Sequence, residues 1–224
     1  MSLTSGRGPL SKNPAGRFVP PIASDSVYVE PFRRRVRGIT GGRTVVDSER
    51  VLLIHRAGAP PAYAFPAADV AEVPSEAEPA APGHVQVAWD AVEEWFEEEE
   101  LVRLHARNPY HRVDCLRTNR RLRVEVGGGV LVDTTDTVAV YETALEPRLY
   151  VGPEHVRAGT LVKSATTTFC PYKGAATYWT AELDGSRVED VAWSYDDPFP
   201  EAERVRGLLS FDADRVTVLA SFPD

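Results

Sequence analysis

The chain has 224 residues, 43% of them hydrophobic and 26% charged, which excludes a disordered chain and leaves room for one large or two small globular domains. No apolar run approaches the roughly 18 residues that cross a bilayer, and no charged-then-apolar leader opens the chain, so neither a membrane protein nor a secreted precursor is expected. A net charge of −8 argues against a nucleic-acid binder, and six of the acids (Glu93, Glu94, Glu97, Glu98, Glu99, Glu100) fall in one segment, so the acidity is local.

Residues 1–34 read as an N-terminal extension. From there β-strand signals dominate. Val36–Thr40 and Arg43–Val46 flank Gly41-Gly42, a hairpin pattern, and Val51–Arg56 is a short β-branched run. Pro74 to Pro82 is a stiff Pro/Ala/Glu bridge with no strand pattern. Across Trp89–Val102 the spacing of Trp89, Val92, Trp95 or Phe96, and Val102 predicts one amphipathic helix, with the glutamates as its solvated face. Residues 106–120 read as a linker. Beyond it Leu122–Val126 and Val130–Val132 repeat the hairpin around Gly127–Gly129, followed by strands over Thr137–Glu142, Thr160–Phe169, Ala175–Leu183, Arg187–Trp193, Gly207–Phe211 and Arg215–Ala220.

Sliding the sequence on itself by 86 positions (Arg37 to Arg123) aligns Gly41-Gly42 with Gly127-Gly128, Val46-Asp47 with Val132-Asp133, Pro61 with Pro147 and Val70 with Val156. Two copies of one unit are therefore expected, over 35–105 and 121–224. The first is truncated, because Val70 to Trp89 is far shorter than Val156 to Phe211. What it lacks corresponds to the stretch from about Phe169 to Asp197, so any site there exists once. Asp47 and Asp133, which recur in both copies, read as turn caps.

The two cysteines, Cys115 and Cys170, cannot build a disulfide framework, and a reducing cytoplasm is the natural setting. No CxxC pair and no HxxxH spacing is present, so no metal and no cofactor are expected. Only three lysines occur (Lys12, Lys163, Lys173), and one of them sits inside Cys170-Pro-Tyr-Lys-Gly174. Pro171 and Gly174 predict a defined turn there, one that holds Cys170 and Lys173 at fixed positions; a lysine beside a thiol lowers its pKa. Tyr172, Tyr178, Trp179, Trp193 and Tyr195 crowd the same region, as the walls of a small-molecule pocket do. Glu142, whose counterpart in the first copy is Arg56, is a candidate partner for Lys173, and His111 and Arg112 in the linker are candidates to close the pocket.

Thr168-Phe-Cys-Pro-Tyr-Lys-Gly174, Ala176-Thr-Tyr-Trp179 and Ala192-Trp-Ser-Tyr-Asp-Asp-Pro198, with Tyr141-Glu142-Thr143 and Phe211-Asp212, resemble the DUF427 family, and the leader and linker are similar to its tandem members. The resemblance implies a mainly β protein of two fused, small antiparallel β units of the β-tent kind. The family also carries a nucleotidyltransferase-like label. Asp212-x-Asp214 would be the magnesium pair of such an enzyme, yet no Gly-Ser motif precedes it at a suitable distance and the first copy keeps only Asp90. Three functions stay open: a single-site binder of a small, partly aromatic or anionic molecule, with Lys173 and Arg112 as charge partners; an enzyme using Cys170 or Lys173 as nucleophile; and a non-catalytic protein-interaction module. Neither nucleic acid nor membrane is expected as a partner, and the oligomeric state is left open.

Overall fold

The computed structural model describes residues 4, 6–23 and 25–220; the outermost ends of the expected extension and second copy lie outside them. The chain divides into two units, Met1–His111 and Arg112–Asp224. Both are β throughout, and every ladder between strands is antiparallel. No helix of the described residues is long and apolar enough to cross a membrane.

In the first unit, β1 (Tyr28–Phe32), β4 (Val51–His55), β5 (Ala62–Pro66), β6 (Ser75–Ala77) and β7 (His84–Val87) form one sheet in the order β1-β4-β5-β7-β6. A second sheet runs β3-β2-β8-β9, from β2 (Val36–Thr40), β3 (Arg43–Ser48), β8 (Glu94–Glu97) and β9 (Glu100–Val102). In the second unit, β10 (Val113–Thr118), β13 (Thr137–Glu142) and β14 (Arg148–Tyr150) form one sheet. Strands β11 (Leu122–Val126), β12 (Gly129–Thr134) and β19 (Thr217–Ala220) form another, in the order β12-β11-β19. A third runs in sequence order through β15 (Leu161–Cys170), β16 (Gly174–Leu183), β17 (Ser186–Ser194) and β18 (Leu209–Phe211), and a bridge between Val151 and Leu209 links it to the edge of β14.

The two units carry the same ladder at the spacing read from the sequence. Tyr28 faces His55 where, 86 positions on, Asp114 faces Tyr141. Leu53 faces Tyr63, and Ala139 faces Leu149. Both hairpins carry a bulge at the same place, after Gly38 and after Val124. The isolated bridges Val46–Val70 and Val132–Val156 correspond as well. Asp47 and Asp133 are not turn caps: each lies within a strand and takes two hydrogen bonds, at 2.7 and 2.6 Å, from Arg35 and Arg121 respectively. These guanidiniums hold both carboxyls below their ordinary range, Asp133 at about 2.

The units differ beyond the fifth strand. In the second, β17 lies on β18 with Trp193 opposite Ser210. In the first, the Pro/Ala/Glu bridge, expected to hold no strand, supplies β6, with Glu76 opposite Gln86 of β7. Ala81 of the same bridge packs on Ile54 and Ala64, the positions held by Val140 and Tyr150 in the second unit. Arg56, just past β4, pairs with the buried Glu78 of the bridge.

The helix expected over Trp89–Val102 is absent. Trp89–Ala91 is one 3-10 turn, and the remainder is the β8–β9 hairpin; among the described residues no α-helix occurs. Strand alternation buries Trp95 beneath Tyr63 and Phe65. The same alternation turns Glu97 inward, where its carboxylate accepts from the Tyr63 hydroxyl at 2.5 Å and pairs with Arg34. The expected boundaries also shift. β1 falls inside the supposed extension 1–34, and β10 occupies much of the supposed linker 106–120.

Candidate functional site

The Cys170–Gly174 segment forms the turn its proline and glycine predict. Cys170 and Gly174 pair across the end of the β15–β16 hairpin, the Lys173 amide donates to the Cys170 carbonyl at 3.3 Å, and Gly174 takes φ +99°. A side chain at Gly174 would also press on the backbone carbonyl of Asp197, 3.3 Å from the Cβ position. The turn delivers Lys173 inward, only 6% exposed, and its ammonium donates to the Glu142 carboxylate at the end of β13. The pair proposed by the sequence therefore forms, and it is largely shielded from water.

Over this pair lies a cleft of about 370 Å³. Tyr178 from β16, with Trp193 from β17 and Tyr195 just beyond it, furnish its aromatic wall, and Tyr150 its floor. Their direction follows from the two-residue period of a strand. Ala176 and Tyr178 face one core with Trp193 and Tyr195. Trp179, next in sequence, faces the opposite core and donates its indole N–H to Ser194 Oγ at 3.1 Å. The Trp193 indole donates to the Tyr150 hydroxyl at 3.0 Å, and Tyr150 is 1% exposed. Burial pushes the hydroxyls of Tyr150 and Tyr195 above the usual phenol range, so both stay neutral.

Of the ten expected site residues, Glu142, Lys173, Tyr178, Trp193 and Tyr195 line the cleft. Cys170 and Tyr172 pack against the same core without lining it. Trp179, His111 and Arg112 do not line it either. Arg112 Nε donates to Asp114 at 2.7 Å with its side chain 78% exposed, and its backbone is hydrogen-bonded to Thr143, so it is an ordered strand lead-in. Of the two candidate nucleophiles, the Lys173 amine donates to a carboxylate, and among the described residues no hydrogen bond joins an imidazole to the Cys170 thiol.

Arg148 and Tyr150 were not anticipated. Arg148 lies over the Trp193 ring, 5.0 Å from its centroid, and supplies the cation expected of Arg112. A signal for both was present: the equivalent residues of the first unit are Ala62 and Ala64, small residues where the second unit is large. The rim carries Glu146, Asp212 and Asp214. Asp212 accepts from the Asp214 amide at 3.0 Å and faces Arg215 at 3.3 Å, so the Asp-x-Asp pair is a braced turn. No group of three or more His, Cys, Asp or Glu comes together to hold a metal among the described residues.

The site thus belongs to a small antiparallel β unit with one aromatic-walled cleft. Residues 114–221, which fall within the second unit, match the model of a family described as a domain of unknown function (DUF427). No curated protein matches the chain.

Proposed function

We propose that the protein binds one small molecule per chain, a flat and at least partly aromatic compound held in the cleft of the second unit. The observation that carries this reading is a cleft lined by the half-buried rings of Tyr178 and Trp193, with Tyr195, beside a buried Lys173–Glu142 pair. Ring faces give a planar ligand broad contact at little entropic cost, and the floor polar groups fix its orientation. The anionic ligand expected from Lys173 and Arg112 loses support, since the first is paired with Glu142 and the second with Asp114.

We infer further that the two units are copies of one ancestral unit, the first of them truncated. Support comes from ladder pairings, bulges and Arg–Asp pairs that recur at one spacing. In the first copy the short bridge stands in for β15 to β17, and Ala81 packs where the cleft would open, so a single site per chain follows.

A thermal-shift screen of aromatic metabolites against wild type and Tyr178→Ala tests the binding reading. Expected is at least one compound that raises the melting temperature saturably, with affinity about tenfold weaker in the variant, roughly the worth of one lost ring contact. No response across the screen, or a response unchanged in Tyr178→Ala, overturns it.

A further inference from the structure

We propose that a second cleft of the same unit binds an oxyanion, the phosphate or carboxylate group of a small molecule, with Arg117 and Arg204 as its charge partners. The cleft measures about 570 Å³ and lies between the β10–β13 strands, the 3-10 turn Pro153–His155 and the 3-10 turn Pro200–Val205. Arg117 stands on β10 and Arg204 on the turn packed against that strand. Arg204 Nη1 donates to the Cys115 carbonyl at 3.1 Å, which anchors one corner of the guanidinium and leaves its other N–H groups available. The Arg117 side chain makes no hydrogen bond and no ion pair among the described residues.

That lack of partners is unusual in this molecule. Arg121, Arg157, Arg187, Arg206 and Arg215 of the same unit each meet a carboxylate. Arg117, Arg148 and Arg204 meet none, and all three line clefts. Two guanidiniums that share one concavity and are not paired with a carboxylate repel each other, and an oxyanion bound between them turns that repulsion into charge-assisted hydrogen bonds. Two acids also line the cleft, but both are turned to the His155 ring, Asp136 at 3.4 Å and Glu154 at 3.7 Å. Glu154 is further held over Gly152, where any side chain would collide with its carboxylate. The first unit has Pro31 at the position of Arg117, and no counterpart of the segment carrying Arg204, so this site too occurs once. Tyr150 lines both this cleft and the aromatic one.

The test uses the full chain at constant ionic strength, titrated with inorganic phosphate and with phenyl phosphate, and reads melting temperature and binding heat. Expected is saturable millimolar or tighter binding that weakens about tenfold in Arg117→Gln, the worth of one charge-assisted contact. The Arg117 side chain gives up no hydrogen bond or ion pair of its own, so this variant keeps the fold. A similar affinity for the two probes identifies a free anion as the ligand. A gain for phenyl phosphate that Tyr178→Ala abolishes identifies an anionic arm of the molecule held in the aromatic cleft. Either result supports the site. No saturable response, or the same affinity in Arg117→Gln, overturns it. Phosphate binding that survives Tyr178→Ala stands even if the aromatic cleft takes no ligand.

Discussion

Lys173 and Glu142 show how a buried charge pair constrains its own unit. Each is mostly shielded, so removing one leaves the other charged and unmatched in a poor solvent for charge. Lys173→Ala and Glu142→Ala are each expected to destabilise the protein by about 3 kcal/mol in urea unfolding. The combined change Lys173→Met with Glu142→Leu recovers most of that loss, because it removes both charges and keeps volume. Equal stabilities for the single and double variants would show the pair to be water-exposed. The residue types were legible beforehand, since lysine is scarce and Glu142 replaces an arginine of the first unit. Their burial was not, and neither was the direction of Trp179. A bulge between Trp179 and Ala181 and the alternation of β16 decide which core that ring enters, and composition carries no trace of either.

Among elements, the Trp89–Val102 segment is the instructive one. Its apolar spacing satisfies a helical face, but a turn followed by a two-stranded hairpin buries the same residues, because β2 offers an open edge for β8. Edge pairing is a long-range event to which local periodicity is blind. The hairpin also sorts the glutamates into different roles. Glu97, 4% exposed, accepts from Tyr63 and pairs with Arg34, whereas Glu99 is 83% exposed beside Arg37. Glu97→Ala is expected to cost about 2 kcal/mol in chemical denaturation, through a buried hydroxyl left without its acceptor. Glu99→Ala is expected to change stability by less than about 0.5 kcal/mol. Comparable losses from both would mean that the acidic run acts as one helical face after all. The hairpins, by contrast, were readable nearly to the residue, as at Val36–Thr40 and Thr137–Glu142, because Gly-Gly turns and β-branched runs act locally.

For the whole molecule, each unit has its own cores. The clusters around Val36 and Ile54 draw only on residues up to 106, and those around Val124 and Tyr150 only on residues from 113 onward. A fragment spanning 112–224 is therefore expected to fold cooperatively and to keep the ligand responses of the full chain. A fragment spanning 121–224 lacks β10, and with it Val113 and Cys115 of one core, and is expected not to fold. Circular dichroism melts of the two pieces check this; a well-folded shorter piece would show β10 to be dispensable. The sequence placed the break too late because β10 carries few strand signals of its own, and its order comes from pairing with β13.

Two units built on the same strand pairings run a standing risk of trading segments during folding. Here the wrong partnership is penalised by polarity. The first unit joins Arg56 to Glu78, and the second joins Glu142 to Lys173, so the matching positions Arg56, just past β4, and Glu142, at the end of β13, carry opposite signs. A hybrid that docked the later strand onto the earlier bridge would set Glu142 against Glu78, and its mirror would set Arg56 against Lys173. A like charge set against the buried Glu78 carboxylate or the buried Lys173 ammonium would disfavour both chimeras, steering each half of the polypeptide back to its own kin.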